Sequence, residues 1–487
     1  MMNRPKRLHP VAAVIRFLRS LRKIALPLLI FFFINGRGEN SLMGALYYLG
    51  VTGIVVGMLI FGILSWYRFT YRVEEGELRI EHGILVRKKR YIPIEKIQTI
   101  DVSAGLIQRL FGLVKIQIET AGGGDEAEAV LSAITSEEAE VLRMTLTNKS
   151  TSDDLNEEVQ ELEKFTLGSR DLFIMASTTG GIGVVISAII AFLTQFDELL
   201  PTEYVYSLAK EVIQSGFVLI SMGIFFVVLF SWVISIVSTS IKFGNYKLTK
   251  KGVNLFITRG LVEKRELTIP INRIQAVRIQ ENFVRQFLGY ATVYIEVAGG
   301  ATGKGEDYST VLLPIIPIKK VSQLLVMFTP EFMMDEELHP LPKRAKVRYI
   351  TRLVIPTSII VILVSFFLNP WGYISLILLP LAVILGAMMH SEAGWITEGN
   401  RLKLRYRFLN RHTVFARKNR IQAFHLTHSY FQRKVSVSSI IVSTQSKSAG
   451  KHFKVVDVDE SHALELYEWY SYEKSASTLI SPEKQMF

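Results

Sequence analysis

"IPIEKIQTI" fills Ile92–Ile100 of the 487-residue chain, "IPINRIQAV" fills Ile269–Val277, and an altered third form, "RKNRIQAF", spans Arg417–Phe424. Pro93 and Pro270 lie 177 residues apart, and the same offset aligns Gly83-Ile84-Leu85 with Gly260-Leu261-Val262, Gln98 with Gln275, and Gly112 with Gly289. It also aligns "IQIETAGGG" (Ile116–Gly124) with "VYIEVAGGA" (Val293–Ala301). A second offset of 147 carries Gln275 to Gln422 and places "IIVSTQSKS" (Ile440–Ser448) on the matching strand. The third copy lacks the proline and the glycine pair but keeps Asn419-Arg420-Ile421-Gln422. Self-similarity at a fixed offset marks a repeated structural unit.

Within a copy the pattern is that of β-structure. "ELRIEHGILVRKKRYIPI" alternates apolar and polar residues around Gly83, and "KLTKKGVNLFITRGLVEKRELTIPI" does so around Gly260, as half-exposed hairpins do. Proline removes a ladder donor and belongs at a strand edge or end. The apolar spacing changes after Ile94, so the strand is expected to break or bulge at Glu95-Lys96, with Gln98 hydrogen-bonding back to the neighbouring chain. "GLIQRLFGL" and "NFVRQFLGY" predict a short helical turn that ends in glycine. Each copy then closes with a helical pattern: Ser136–Thr147, with Ser136 as the expected N-cap, and Ser461–Tyr472.

Long apolar stretches precede each copy. Leu21–Ile34, Leu42–Tyr67, Phe173–Leu193, Gly216–Val237, Leu353–Leu368 and Trp371–Met389 give six candidate membrane helices in three hairpins, judged against the roughly 20 residues a bilayer needs. Basic residues before the first span (Arg4 to Lys23) and after each pair (Arg68, Arg72; Lys242, Lys247) contrast with turns that carry little positive charge. By the positive-inside rule both termini and the β-rich units are expected in the cytoplasm. No cleavable signal peptide is expected, since the first apolar stretch has no small-residue cleavage site.

The repeated "IPI.[KR]IQ", a short helix ending in glycine, and "I.IE.AGG", each set behind a membrane hairpin, resemble the bacterial membrane-flanked PH-like domain family. The resemblance covers nearly the whole chain. It implies a PH-like fold and a part in membrane stress or resistance to toxic agents, and it brings no catalytic residues. The expected fold class is an α+β membrane protein: three transmembrane helix hairpins, each followed by a cytoplasmic PH-like barrel or sheet with a C-terminal helix. The expected segments are 1–67 (first hairpin), 68–148 (unit 1), 149–165 (acidic linker), 166–240 (second hairpin), 241–340 (unit 2), 341–390 (third hairpin), 391–473 (unit 3) and 474–487 (tail).

Chemistry-bearing motifs are sparse. The chain has no cysteine. "GGATGKGE" (Gly299–Glu306) joins two strands and lacks the Lys-Ser/Thr of a phosphate loop. His425 and His428 stand at a helical metal-ligand spacing without a third ligand. Beyond Arg22 and Lys23 at the start of the first, the spans carry no Lys, Arg, Asp or Glu, which weighs against a transporter or proton channel. Gly180-Gly181-Gly183 would allow close helix packing. No enzyme activity, metal or cofactor is expected. The pronounced signal is basic: the net charge is +12. In "RLKLRYRF", Arg401, Lys403, Arg405 and Arg407 alternate with apolar residues, so a strand would gather the four cations on one face. Arg417, Lys418 and Arg420 follow, and Arg87, Lys88, Lys89 and Arg90 form a smaller cluster. Ser391–Tyr472 holds 13 Lys+Arg against 7 Asp+Glu, whereas Arg68–Ser150 holds 12 against 13. These cations are the candidate sites for anionic inner-leaflet lipids. Pro93, Gln98, Gly112, Pro270, Gln275, Gly289 and Gln422 are read as the structural motif. A related PH-like membrane protein or a second copy of the chain is the expected protein partner, and nucleic acid is not expected. The competing reading is a lipid or small-molecule transporter gated by the PH-like units.

Overall fold

The computed structural model describes residues 5–35, 42–120, 128–147, 163–179, 217–297, 309–367, 371–445 and 450–471. The glycine-rich turns, most of the acidic linker, Gly180-Gly181-Gly183, the turns within the second and third expected hairpins and the tail lie outside the described residues. The strands in chain order are β1 (Lys6–Arg7), β2 (Thr70–Glu74), β3 (Glu77–His82), β4 (Lys88–Pro93), β5 (Ile97–Ala104), β6 (Leu113–Thr120) and β7 (Ala129–Thr135). Then come β8 (Lys164–Thr166), β9 (Lys247–Lys251), β10 (Asn254–Arg259), β11 (Lys264–Pro270), β12 (Ile274–Glu281), β13 (Tyr290–Val297) and β14 (Ser309–Pro317). Last are β15 (His339–Pro340), β16 (Gly394–Glu398), β17 (Arg401–Arg407), β18 (Arg411–Arg417), β19 (Ile421–Thr427), β20 (Val437–Thr444) and β21 (Lys451–Asp459). The three copies supply β2–β7, β9–β14 and β16–β21.

The repeated phrase is a corner built the same way three times. A single 3₁₀ turn interrupts the strand at Ile94–Lys96, Ile271–Arg273 and Lys418–Arg420. Its first amide donates to the tip of the preceding hairpin: Ile94 N to Gly76 O at 3.0 Å, Ile271 N to Val253 O at 2.8 Å, Lys418 N to Asn400 O at 2.8 Å. A register shift follows between Ile97 and Thr99, between Ile274 and Ala276, and between Ile421 and Ala423. Gln98, Gln275 and Gln422 are therefore the bulge residues, and a bulge turns the strand into a new direction.

The chain divides into two compact units, Met1–Leu162 with Asn254–Pro270, and Glu163–Val253 with Ile271–Phe487. In the first, β1-β2-β3-β4 form one sheet and β7-β6-β5-β11-β10 run in order through another. In the second, β14-β13-β12-β18-β17-β16-β15 form a continuous sheet, and β19-β20-β21 a separate one. A sheet thus takes its two halves from successive copies of the sequence. Leu78, Ile80 and Ile92 pack against Ile116, Ile118 and Leu131, capped by Ala139 and Leu142 of the Ser136–Thr147 helix. Trp395, Leu402 and Leu404 pack likewise against Ile440, Val442 and Phe453 under Ala463 and Leu466 of the Glu460–Tyr470 helix. Each buried Leu or Ile contributes about 1.5–3 kcal/mol. Among the described residues no sheet closes into the expected barrel, because β5 and β12 bond to the following copy instead of curling back. The helix cap also differs from expectation: Thr135 Oγ1, not Ser136, accepts from Glu138 N at 3.2 Å.

Four helical stretches among the described residues are long and apolar enough to cross a membrane: Leu49–Tyr67, Phe225–Phe243, Ala345–Phe367 and Gly372–Glu392. The first apolar stretch lies in a 25-residue helix, Val11–Asn35, whose first half carries Arg16, Arg19, Arg22 and Lys23. Pro356 sits inside the Ala345–Phe367 helix without ending it, so that span is longer than its sequence suggests.

Gly83 and Gly260 hold φ of +113° and +104°, and a Cβ on either would stand 2.0 Å from the carbonyl oxygen of Val86 or Glu263. Gly83→Ala and Gly260→Ala should each cost about 1–3 kcal/mol, read as a lower midpoint in thermal unfolding of the detergent-solubilised protein. Ser436 has φ of +49°, where the other copies have Gly112 and Gly289 at +63° and +70°. Ser436→Gly should act with the opposite sign, adding about 1 kcal/mol in the same assay.

Candidate functional site: a basic belt and an apolar rim

The alternation in β17 is as the sequence implies, with Leu402 and Leu404 buried, but Lys403 and Arg407 are buried as well and Arg401 and Arg405 half-buried. Arg401 donates to Met333 O at 2.6 Å and pairs with Glu398 at 2.9 Å. The Lys403 ammonium reaches Met334 O and Glu336 O at 3.2 and 2.7 Å. Arg405 donates to Thr413 Oγ1 at 3.1 Å, and the fully buried Arg407 pairs with Glu392 at 2.7 Å. Burial lowers the Lys403 pKa, with Arg405 adding to the effect, and burial followed by the Arg411 charge lowers that of Arg405. The segment around Met333–Glu336 supplies the backbone acceptors for Arg401 and Lys403. Such groups serve as ties between segments, since a buried cation must be paired. Arg417 pairs with Glu331, Lys418 stands 5.8 Å from the Trp469 ring centroid, and Arg420 donates to Asn272 O.

The Arg87–Arg90 cluster is different. All four side chains are exposed on β4 or just before it. Arg87 and Lys89 share Glu81, and Arg90 reaches Glu128 O. The neighbouring His82 has its pKa lowered first by burial and then by Arg90 and Lys88. Of the structural motif, Gln98 and Gln275 are buried, and Gln275 Nε2 donates to Arg273 O at 3.0 Å within its own corner. Gln422 is exposed. Gly112 and Gly289 end the short helices as expected, and Pro93 and Pro270 end β4 and β11. His425 and His428 lie on β19 and the loop after it, not on a helix, and His428 meets Ser438 Oγ at 3.2 Å.

A second surface was not singled out from the sequence. The short helix after each bulged strand, at Leu106–Leu110, Phe283–Leu288 and Tyr430–Arg433, exposes large apolar side chains. Leu110 is 81% exposed, Phe287 77%, and Tyr430 and Phe431 68% each. Hairpin tips add Leu85, Val86, Leu261, Val262, Phe408 and Leu409. In the first unit the two elements meet, with Arg109 donating to Leu261 O and Val262 O at 3.1 and 3.2 Å.

In the second unit the polar side of the Phe283–Leu288 helix is clamped to the Ser169–Thr178 helix. Asn282 caps its own helix through Arg285 N at 2.7 Å and donates to Thr178 O at 2.9 Å. The buried Arg285 guanidinium reaches Thr178 Oγ1 at 2.9 Å, Thr292 Oγ1 at 2.5 Å, and Met175 O and Thr179 Oγ1 at 3.2 Å each. One residue away, Ser177 O accepts from Trp232 Nε1 at 3.3 Å. Trp232 lies 11 residues before the end of the Phe225–Phe243 span, about 16 Å along the helix axis. The short helix is thus held beside the apolar length of a membrane helix, with its own apolar side chains outward. Arg348, at the start of the Ala345–Phe367 helix, similarly donates to Phe431 O at 2.9 Å. The sequence signal that marks these helices is an apolar content greater than one buried face of a four- to six-residue helix requires.

Comparison with known proteins agrees with this architecture. A family described as "Bacterial PH domain" matches three times, at residues 26–150, 182–326 and 354–474. A relative in Bacillus subtilis (strain 168), named "UPF0699 transmembrane protein YdbT", is 39% identical over 494 aligned residues, covering 98% of this chain and 100% of the relative. The two overlapping lines of similarity, together with the apolar helices, place this chain in the bacterial PH domain family as a transmembrane protein that carries three copies of the domain.

Proposed function

We propose that the chain is a non-enzymatic, multi-pass protein of the cell membrane, with six spans and with its termini and PH-like units on the cytoplasmic side, whose units hold anionic lipid at the inner leaflet. The observation that carries this reading is the apolar rim. Exposed Phe283, Val284, Phe287 and Leu288 lie on a helix tied, through Arg285 and Asn282, to the level of Trp232. Exposed apolar side chains held beside the apolar length of the Phe225–Phe243 helix fit contact with the acyl chains of the bilayer, into which a membrane-bound helix buries its apolar face. The exposed Arg87, Lys88, Lys89 and Arg90, next to the exposed tip Leu85-Val86, supply the charge that such a surface adds for anionic headgroups. Each cation near the surface contributes about 1 kcal/mol, reduced by salt. The β17 cations are committed to protein acceptors and take a structural role in this reading. A part in resistance to membrane-active agents would follow from a protein that holds lipid at the leaflet.

The test compares the full-length protein in nanodiscs of phosphatidylcholine alone and of phosphatidylcholine with phosphatidylglycerol. Anionic lipid should raise the unfolding temperature and be retained in native mass spectra. Replacing Arg87, Lys88, Lys89 and Arg90 together by Gln should weaken retention roughly tenfold or more. Equal retention by the two proteins would remove the headgroup reading. Phe287→Ser with Leu110→Ser should lower the stabilisation by any bilayer relative to detergent, and an unchanged difference would remove the apolar rim from the account.

A further inference from the structure

The two internal junctions between copies share one register. In the first, β11 pairs antiparallel with β5, with Thr268 opposite Ile100, Leu267 opposite Asp101, Glu266 opposite Val102 and Arg265 opposite Ser103. In the second, β18 pairs with β12, with Phe415 opposite Val277, Val414 opposite Arg278, Thr413 opposite Ile279 and His412 opposite Gln280. The sequence offsets of 177 and 147 carry each pair of the first junction onto a pair of the second. Every copy therefore offers two edges, one used toward the preceding copy and one toward the following copy. Among the described residues two edges of these types remain, one in each unit: β4 at the end of its sheet and β19 at the end of its own.

Both remaining edges differ from their counterparts in exposure. Lys88, Lys89, Arg90 and Tyr91 on β4 are exposed, whereas Thr268 on β11 and Thr413, Val414 and Phe415 on β18 are buried. On β19, Gln422, His425 and Thr427 are exposed, where β5 and β12 bury Gln98, Asp101 and Gln275, Arg278. The side elements are also left half-built. Arg433 occupies the position of Arg109 on a short helix with exposed Tyr430 and Phe431, and Ile84 and Leu85 occupy the positions of Leu261 and Val262, the residues Arg109 holds.

We infer that a second copy of this chain covers these edges, head to tail: β4 of one molecule pairs with β19 of the next in the register of the two internal junctions. Tyr91 then stands opposite Phe424, Arg90 opposite His425, Lys89 opposite Leu426 and Lys88 opposite Thr427, and Arg433 reaches the carbonyls of Ile84 and Leu85. A contact of this kind joins unlike surfaces, so it propagates as a ring or an open row in the plane of the membrane. The internal junctions each include a carboxylate partner for a basic strand residue, Asp101 for Arg265 at 3.8 Å and Glu281 for Arg411. No acid lies on β19, so the contact between molecules is the weaker of the three kinds and depends on density in the membrane. The inference is independent of lipid binding and stands or falls without it.

The absence of cysteine from the chain makes the register testable by cross-linking in native membranes. One tagged chain carries Lys89→Cys and a second, differently tagged chain carries Leu426→Cys; the two are co-expressed and oxidised with copper-phenanthroline. Opposite residues on antiparallel strands lie within disulfide reach. The control is Val102→Cys with Glu266→Cys in one chain, which occupies the same register position at an internal junction and should close within the monomer. A disulfide-linked product bearing both tags, at least tenfold stronger than for the out-of-register Lys88→Cys with Leu426→Cys, is the expected result. A second exposed pair, Arg90→Cys with His425→Cys, should behave as the first. Closure of the control with no doubly tagged product from either pair would overturn the inference, and so would capture of a different protein by the two edges in place of this chain.

Discussion

An edge strand with unpaired amides and carbonyls is the constraint on which this molecule is organised. A PH-like sheet has an edge at each side of its bulged corner, and an uncovered edge is a template for pairing. Here the problem is met inside the chain. β5 takes β11, and β12 takes β18, so that the end of one copy is hydrogen-bonded to the beginning of the next. The barrel stays open for the same reason, since an edge that serves the neighbour cannot also close its own sheet.

The corner makes this exchange possible. A 3₁₀ turn tied to the preceding hairpin tip and a bulge one residue later redirect the chain from one sheet into the other, in all three copies. Pro93 and Pro270 mark where the first strand ends, and the third copy makes the same turn without a proline, as Lys418 N bonds to Asn400 O. The cation that precedes Ile-Gln in each copy thus belongs to a bend of the backbone. Its chemistry is incidental to its position.

Much of the architecture was legible in the sequence because periodicity and repeat offset are local properties. The hairpins around Gly83 and Gly260, the break after Ile94 and the short helices ending at Gly112 and Gly289 follow from a few neighbouring residues. The pairing of β5 with β11 does not, because nothing in Thr99–Ser103 says whether its partner comes from its own copy or the next. The surroundings of the β17 cations were not legible for a related reason. Alternation in β17 placed Arg401, Lys403, Arg405 and Arg407 on one side, but only the fold reveals that Met333–Glu336, Thr413 and Glu392 accept their hydrogen bonds there. The apolar rim was hidden in the opposite way: Phe287 and Leu110 look like core residues in a sequence, and it is their exposure that gives them meaning.

The splice between copies also sets a clock for the growing polypeptide. The edge of β5 ends at Ala104, and the strand that covers it begins at Lys264, 160 residues later. At a synthesis rate of roughly 5–20 residues per second, that edge emerges from the ribosome and waits roughly 8–30 s for its partner. During that interval the chain also delivers Phe225–Phe243, a helix long and apolar enough to cross the membrane. Completion of the first unit is thereby coupled to the placing of the apolar helix that separates it from its own last two strands.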